Sequence, residues 1–101
     1  MLADMSYMRV IVQSVDTTRE AEVDTFVDEV ATAIAKAPGL QSFAVGYGDG
    51  TAVTTTFWDT REQAEAGLAA VMPDAPTKIA AAGLKMVQVY VHEVLREVRP
   101  D

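Results

Sequence analysis

With 101 residues, half of them hydrophobic, the chain can build one domain with a real core and is too short for two. A formal net charge of −7 with eight scattered basic residues argues against a nucleic-acid surface, and the absence of cysteine removes disulfides, thiolate metal sites and a cysteine nucleophile. No apolar run approaches the roughly 20 residues that span a bilayer, and the opening MLADMSYM lacks the basic and apolar regions of a secretory signal. The expectation is a cytoplasmic protein without nucleic-acid or membrane partners.

Residues 1–5 read as a loose tail, with Met5 an alternative start. YMRVIVQSV (7–15) is β-branched and aromatic, a strand. Thr17 and Glu20 then stand at capping-box spacing, and Val23, Phe26, Val27, Val30 and Ile34 recur at steps of three and four, the stripe of an amphipathic helix. Pro38-Gly39 ends that helix. QSFAVGYG (41–48) alternates Phe43, Val45 and Tyr47 with small residues, and Asp49-Gly50 is a tight-turn signal leading into the return strand TAVTTTFW (51–58).

Asp59 or Thr60, with Glu62 or Gln63 three residues on, predicts a cap for a second helix running to about Val71. Pro73 and Pro76 interrupt it, marking a candidate mobile cavity mouth before a short helix at 77–82. Gly83 stops that piece, and LKMVQVYVHEVLREV (84–98) reads as a last, long strand, with 96–101 as a C-terminal tail. The order βαββαβ predicts an α+β, ferredoxin-like single domain: a four-stranded antiparallel sheet, two helices on one face, strands one and three central, strand four beside strand one.

Alternation divides each strand between two faces. Assigning the sets Met8, Val10 and Val12, then Val53, Thr55 and Phe57, then Val87, Val89 and Val91 to the helix side leaves Arg9, Ile11, Gln13, Thr54, Thr56, Trp58, Gln88, Tyr90 and His92 on the other. That second face is too apolar for ordinary solvation and too polar for a simple core, which suggests a ligand or a second copy of the chain. On this reading Tyr7, Arg9, Trp58, Tyr90 and His92 converge at one end of it. The alternative is a cavity on the helix side lined by Phe43, Tyr47 and Phe57.

Trp58 can stack on a planar substrate or simply pack. His92, the only histidine, can act as a general base or sit hydrogen-bonded at a subunit seam. Arg9 on a central strand needs a counter-charge or a ligand anion. Tyr7, Tyr47, Phe57 and Tyr90 are wall residues for binding. Gly46, Gly48 and Gly50 lie in a hairpin and serve its geometry instead of forming a phosphate loop, and the acidic residues from Glu20 to Glu29 form a solvated helix face with no metal cluster.

The stretch PGLQSFAVGYGDGTAVTTTFWDTREQAEA (38–66), with its Pro-Gly helix exit, Gly-rich hairpin, strand closing in Trp and capped helix, resembles the antibiotic-biosynthesis-monooxygenase-like family of dimeric α+β barrels. The resemblance covers nearly the whole chain in order and spacing. It implies a homodimer with a cavity in each subunit, and in some members oxidation of polycyclic, polyketide-like phenols to quinones by molecular oxygen without metal, flavin or other cofactor. In those members a Trp near the position of Trp58 accompanies an Asn, whereas this sequence contains no Asn. Haem-degrading members carry a His on the second helix; here that helix has none. Two readings stand: a cofactor-independent monooxygenase in which Trp58 holds the ring, Arg9 steadies the anion and His92 moves the proton, or a non-catalytic dimeric module for a small hydrophobic ligand.

Overall fold

The computed structural model describes residues 6–98 and residue 100. The expected tail at 1–5 lies outside them, as do residues 99 and 101 of the expected C-terminal tail. The elements are β1 (Tyr7–Val15), α1 (Glu20–Ile34), β2 (Leu40–Gly48), β3 (Thr51–Trp58), α2 (Arg61–Ala66), α3 (Ala75–Ala81) and β4 (Leu84–Glu93), with short 3-10 turns before α1 and after α2. The sheet is antiparallel with strand order β2-β3-β1-β4, the ferredoxin-like arrangement expected from the sequence.

Local chemistry sets most boundaries. Asp16, not Thr17, caps the entry to α1, accepting hydrogen bonds from the Thr18 N–H and hydroxyl. Asp49 and Gly50 both have positive φ, which matches the two-residue hairpin turn of the β2–β3 pair. Thr60 and Gln63 form the reciprocal capping box at the head of α2. Pro76 lies in the first turn of α3, where its missing N–H costs nothing, so it starts this helix instead of breaking one. β4 ends at Glu93, opposite Tyr7, with one further backbone hydrogen bond from the Val94 N–H to the Ser6 carbonyl at 2.8 Å; it is shorter than the predicted 84–98.

The helices cover one sheet face, and the register decides which side chains they cover. Tyr7 pairs with Trp58, Arg9 with Thr56, Ile11 with Thr54 and Gln13 with Ala52, while Phe43, Val45 and Tyr47 continue those rows onto β2. Residues paired in a row share a face. Buried Val15, Ala52 and Leu84 pack against Val23, Phe26 and Met72 in one core cluster, and Trp58, only 1% exposed, packs against Ile34, Ala37 and Ala64 in the other.

The face assignment for β1 and β3 is therefore corrected. Arg9, Ile11, Gln13, Thr54, Thr56 and Trp58 face the helices, and Met8, Val10, Val12, Val53 and Phe57 face outward. On β4, Val89 and Val91 share rows with Ile11 and Arg9 and face the helices as assigned, leaving Gln88, Tyr90 and His92 on the outer face; Val87, assigned with them, is passed over where the register shifts and is 62% exposed. Both faces of this sheet carry apolar residues, so hydrophobicity alone could not choose between them.

Candidate functional site

Between the sheet and its helices lies a mainly apolar cavity of about 70 Å³. Its floor is Arg9, Ile11, Gln13, Phe43, Val45, Thr54, Thr56 and Trp58; its roof is Val23, Phe26, Val27 and Val30 of α1 with Leu68 and Ile79. It shares Val23, Val27, Val45 and Ala52 with an adjoining groove of about 300 Å³ bounded by Glu20, Asp24, Gly46 and Tyr47. The groove lies at the lower end of the range of small-molecule sites, roughly 300–1,000 Å³, and the cavity beside it is smaller. At the groove the Tyr47 hydroxyl donates to Glu20 Oε1 at 2.6 Å, and this hydrogen bond holds the phenol above its usual pKa.

Among the described residues Arg9 is the only ionisable one lining the cavity. One guanidinium nitrogen, Nη1, donates to the carbonyls of Ala64 (3.0 Å) and Glu65 (2.7 Å), at the C-terminal end of α2 where helix carbonyls lack partners. Nε is buried with no acceptor among the described residues. Desolvation lowers the Arg9 pKa, with Glu65 opposing, and the group still remains a cation because arginine does not deprotonate in proteins. Gly67 makes the room: its φ is +52°, and a Cβ there would lie 3.1 Å from the guanidinium carbon and Nε. That glycine ends α2 at Ala66, short of the expected Val71.

Trp58 forms the end wall. Its indole N–H donates to Thr56 Oγ1 at 2.7 Å, and the Thr56 hydroxyl in turn donates to the Arg9 carbonyl at 3.4 Å. The indole proton is thus committed, and what Trp58 presents is apolar ring. Gln13 is 7% exposed and makes no side-chain hydrogen bond among the described residues.

The predicted convergence of five residues divides between the faces. Arg9 and Trp58 meet at the cavity; Tyr7 packs behind Trp58 and carries the Arg61 guanidinium 5.2 Å over its ring; Tyr47 stands at the groove. Phe57, Tyr90 and His92 lie on the outer face, with Tyr90 and His92 stacked at 5.6 Å. His92 therefore does not face the cavity of its own chain. Reasoning from sequence passed over Gln13, Thr54 and Thr56 as site residues, although the hairpin register carries the signal. Among the described residues no three acidic or histidine side chains gather as a metal group, and no helix is long and apolar enough to cross a membrane.

No family model and no curated protein matches the sequence. Solved structures do match in shape. SnoaB, a cofactor-independent oxygenase from Streptomyces nogalater, superposes with a TM-score of 0.73 at 18% identity over 95% of this chain and 98% of its own. The ActVA-Orf6 monooxygenase of Streptomyces coelicolor, bound to nanaomycin D, gives 0.67 at 17% identity over 97% and 95%. The haem-degrading protein Rv3592 of Mycobacterium tuberculosis gives 0.66 at 18% over 93% and 99%. One fold here carries different chemistries. The chain has the fold of the antibiotic-biosynthesis-monooxygenase-like proteins.

Proposed function

We propose that the chain is a cofactor-independent monooxygenase of the antibiotic-biosynthesis-monooxygenase-like family, acting as a cytoplasmic homodimer on a phenolic, polyketide-like aromatic molecule. The observation that carries this reading is Arg9, a desolvated cation at a cavity where, among the described residues, its Nε has no partner and no carboxylate lines the wall. Such a group stabilises an anionic oxygen far more than water would. Binding there favours the phenolate over the phenol. The phenolate is the electron-rich form that reduces oxygen: one ring C–H and the O–H are lost, one O2 is consumed, and a quinone and one water are formed. Trp58 and the apolar walls hold the ring flat.

With no base among the lining residues, the phenolic proton leaves to water through the groove at Tyr47. The pH dependence of turnover therefore follows the phenol and moves with its acidity across a substrate series. The names of SnoaB and of the ActVA-Orf6 complex favour this chemistry among the structural neighbours.

The test is oxygen uptake with anthrone- and naphthol-like phenols in chelator-treated buffer. Wild type should consume one O2 per quinone formed, and Arg9→Met should lose roughly a hundredfold in rate or more while keeping its circular dichroism. If the phenols bind without uptake, the second reading gains: a dimeric module that binds a small hydrophobic molecule, favoured by the same lack of a lining base.

A further inference from the structure

We infer that Gln13 is a specificity-determining residue, whose side-chain amide anchors a hydrogen-bonding oxygen at the end of the ligand remote from Arg9. The inference rests on the reading of the cavity as an aromatic site and narrows its substrate class to elongated, planar molecules oxygenated at both ends.

Three observations converge on Gln13. It lines the cavity, it is 93% buried, and its amide has no protein partner among the described residues. The amide carries two donors and an acceptor that no described protein group takes up, and unlike Arg9 Nε it is not sealed off, so it can be reached from the cavity. A ligand that displaces water from it must replace those hydrogen bonds. The pairing of β1 with β4 shifts register beside it, but the residue passed over is Val87 of β4, so β1 itself stays regular and carries Arg9 and Gln13 on one face.

Its position relative to Arg9 defines the ligand. The two residues are four apart on one strand and face the same way, so their Cα atoms lie roughly 13 Å apart at the usual strand rise. The row between them, Ile11 with Thr54 and Val45, is a mostly apolar floor beneath Phe26 of α1. A flat ring system fits that slot lengthwise, one oxygen at Arg9 and a carbonyl or hydroxyl at Gln13. Gln13 can meet either, since its amide both donates and accepts.

The test is calorimetric titration under argon, where oxidation cannot occur, with a naphthalenediol hydroxylated at opposite ends and the matching mono-naphthol. Wild type should prefer the diol by roughly tenfold or more, the discrimination expected when a buried polar group gains or lacks its partner. Gln13→Met, close in shape, should reduce that preference to below about threefold while leaving mono-naphthol affinity unchanged. A preference that survives in Gln13→Met, an equal loss for both ligands, or no saturable binding of either would overturn the inference.

Should Gln13→Met fail to fold, the wild-type side-chain amide resonances decide. The Gln13 NH2 signals should shift on saturation with the diol and stay in place with the mono-naphthol; identical responses overturn it. Because the titration is anaerobic, its outcome is independent of turnover: an inactive protein can show the Gln13 effect, and an active one can lack it.

Discussion

At the scale of single residues, the site depends on a close fit between Arg9 and Gly67. Gly67 has a backbone conformation, φ +52° with ψ −135°, that L side chains rarely adopt, and an added methyl would press on the guanidinium at 3.1 Å. Gly67→Ala should cost about 1–3 kcal/mol of stability in urea unfolding, through backbone strain together with that contact. Repeating the substitution in Arg9→Met separates the two contributions. A smaller cost there identifies the guanidinium contact; an equal cost puts the whole effect in the backbone. Trp58 answers differently. Its N–H is bonded to Thr56 within a site that is 1% exposed at Trp58 and 3% at Thr56, so its polar end serves the fold and its ring serves the cavity. Trp58→Phe should lower stability by about 1–3 kcal/mol, through lost volume and a lost buried hydrogen bond, yet slow phenol oxidation less than Arg9→Met. A larger kinetic loss in Trp58→Phe would give the indole N–H a role in turnover that its bond to Thr56 does not suggest.

At the scale of elements, the ends are fixed by side chains that titrate or cap. Hydrogen bonds from the Thr18 hydroxyl and N–H hold the Asp16 carboxyl below its ordinary value of 3.8 at the entry to α1. A carboxyl depressed in the folded state contributes stability above its unfolded pKa, and that contribution disappears as pH falls through the folded value. Acid unfolding of wild type should thus steepen below 3.8, and Asp16→Asn should flatten that part of the curve; identical acid limbs would remove Asp16 from the account. Thr60→Ala should cost about 1 kcal/mol in thermal melts by opening the capping box of α2. The Thr60 cap was legible in the sequence, whereas the first cap falls on Asp16 and not on the expected Thr17. β1 and β3 fell on their predicted residues, and the strand order followed from βαββαβ alone. The faces did not follow from hydrophobic alternation, because Val10, Val12 and Val53 are as apolar as Ile11 and Ala52. Yet the clue was present in β2. Its large residues Phe43, Val45 and Tyr47 alternate with small ones, and the two-residue turn at Asp49-Gly50 sets Tyr47 opposite Ala52 and Val45 opposite Thr54. Carrying that parity through β3 turns Thr54, Thr56 and Trp58 inward. The end of α2 was missed although Gly67 is the same kind of stop signal as Gly39 and Gly83; what the sequence does not show is the reason for it, an Arg9 side chain 58 residues earlier.

At the scale of the molecule, the outer sheet face is what remains to be covered. Met8, Val10, Val12, Val53 and Phe57 lie on it, with Val53 39% exposed, alongside Tyr90 and His92 at its β4 edge. An apolar sheet face is seldom left to water, and one self-complementary patch is enough for a two-fold dimer. The proposed homodimer should therefore sediment at twice 10.9 kDa, and Val10→Arg, at the centre of the face, should yield a monomer with a lower melting temperature. If Val10→Arg leaves the mass doubled, the subunits meet elsewhere. The candidate cavity lies on the helix side of the sheet, away from that face, so monomer and dimer should each bind one naphthalenediol per chain. Binding lost from a folded monomer would mean that the partner completes the site. In that case His92, remote from its own chain's cavity, becomes the group to test next from across the interface.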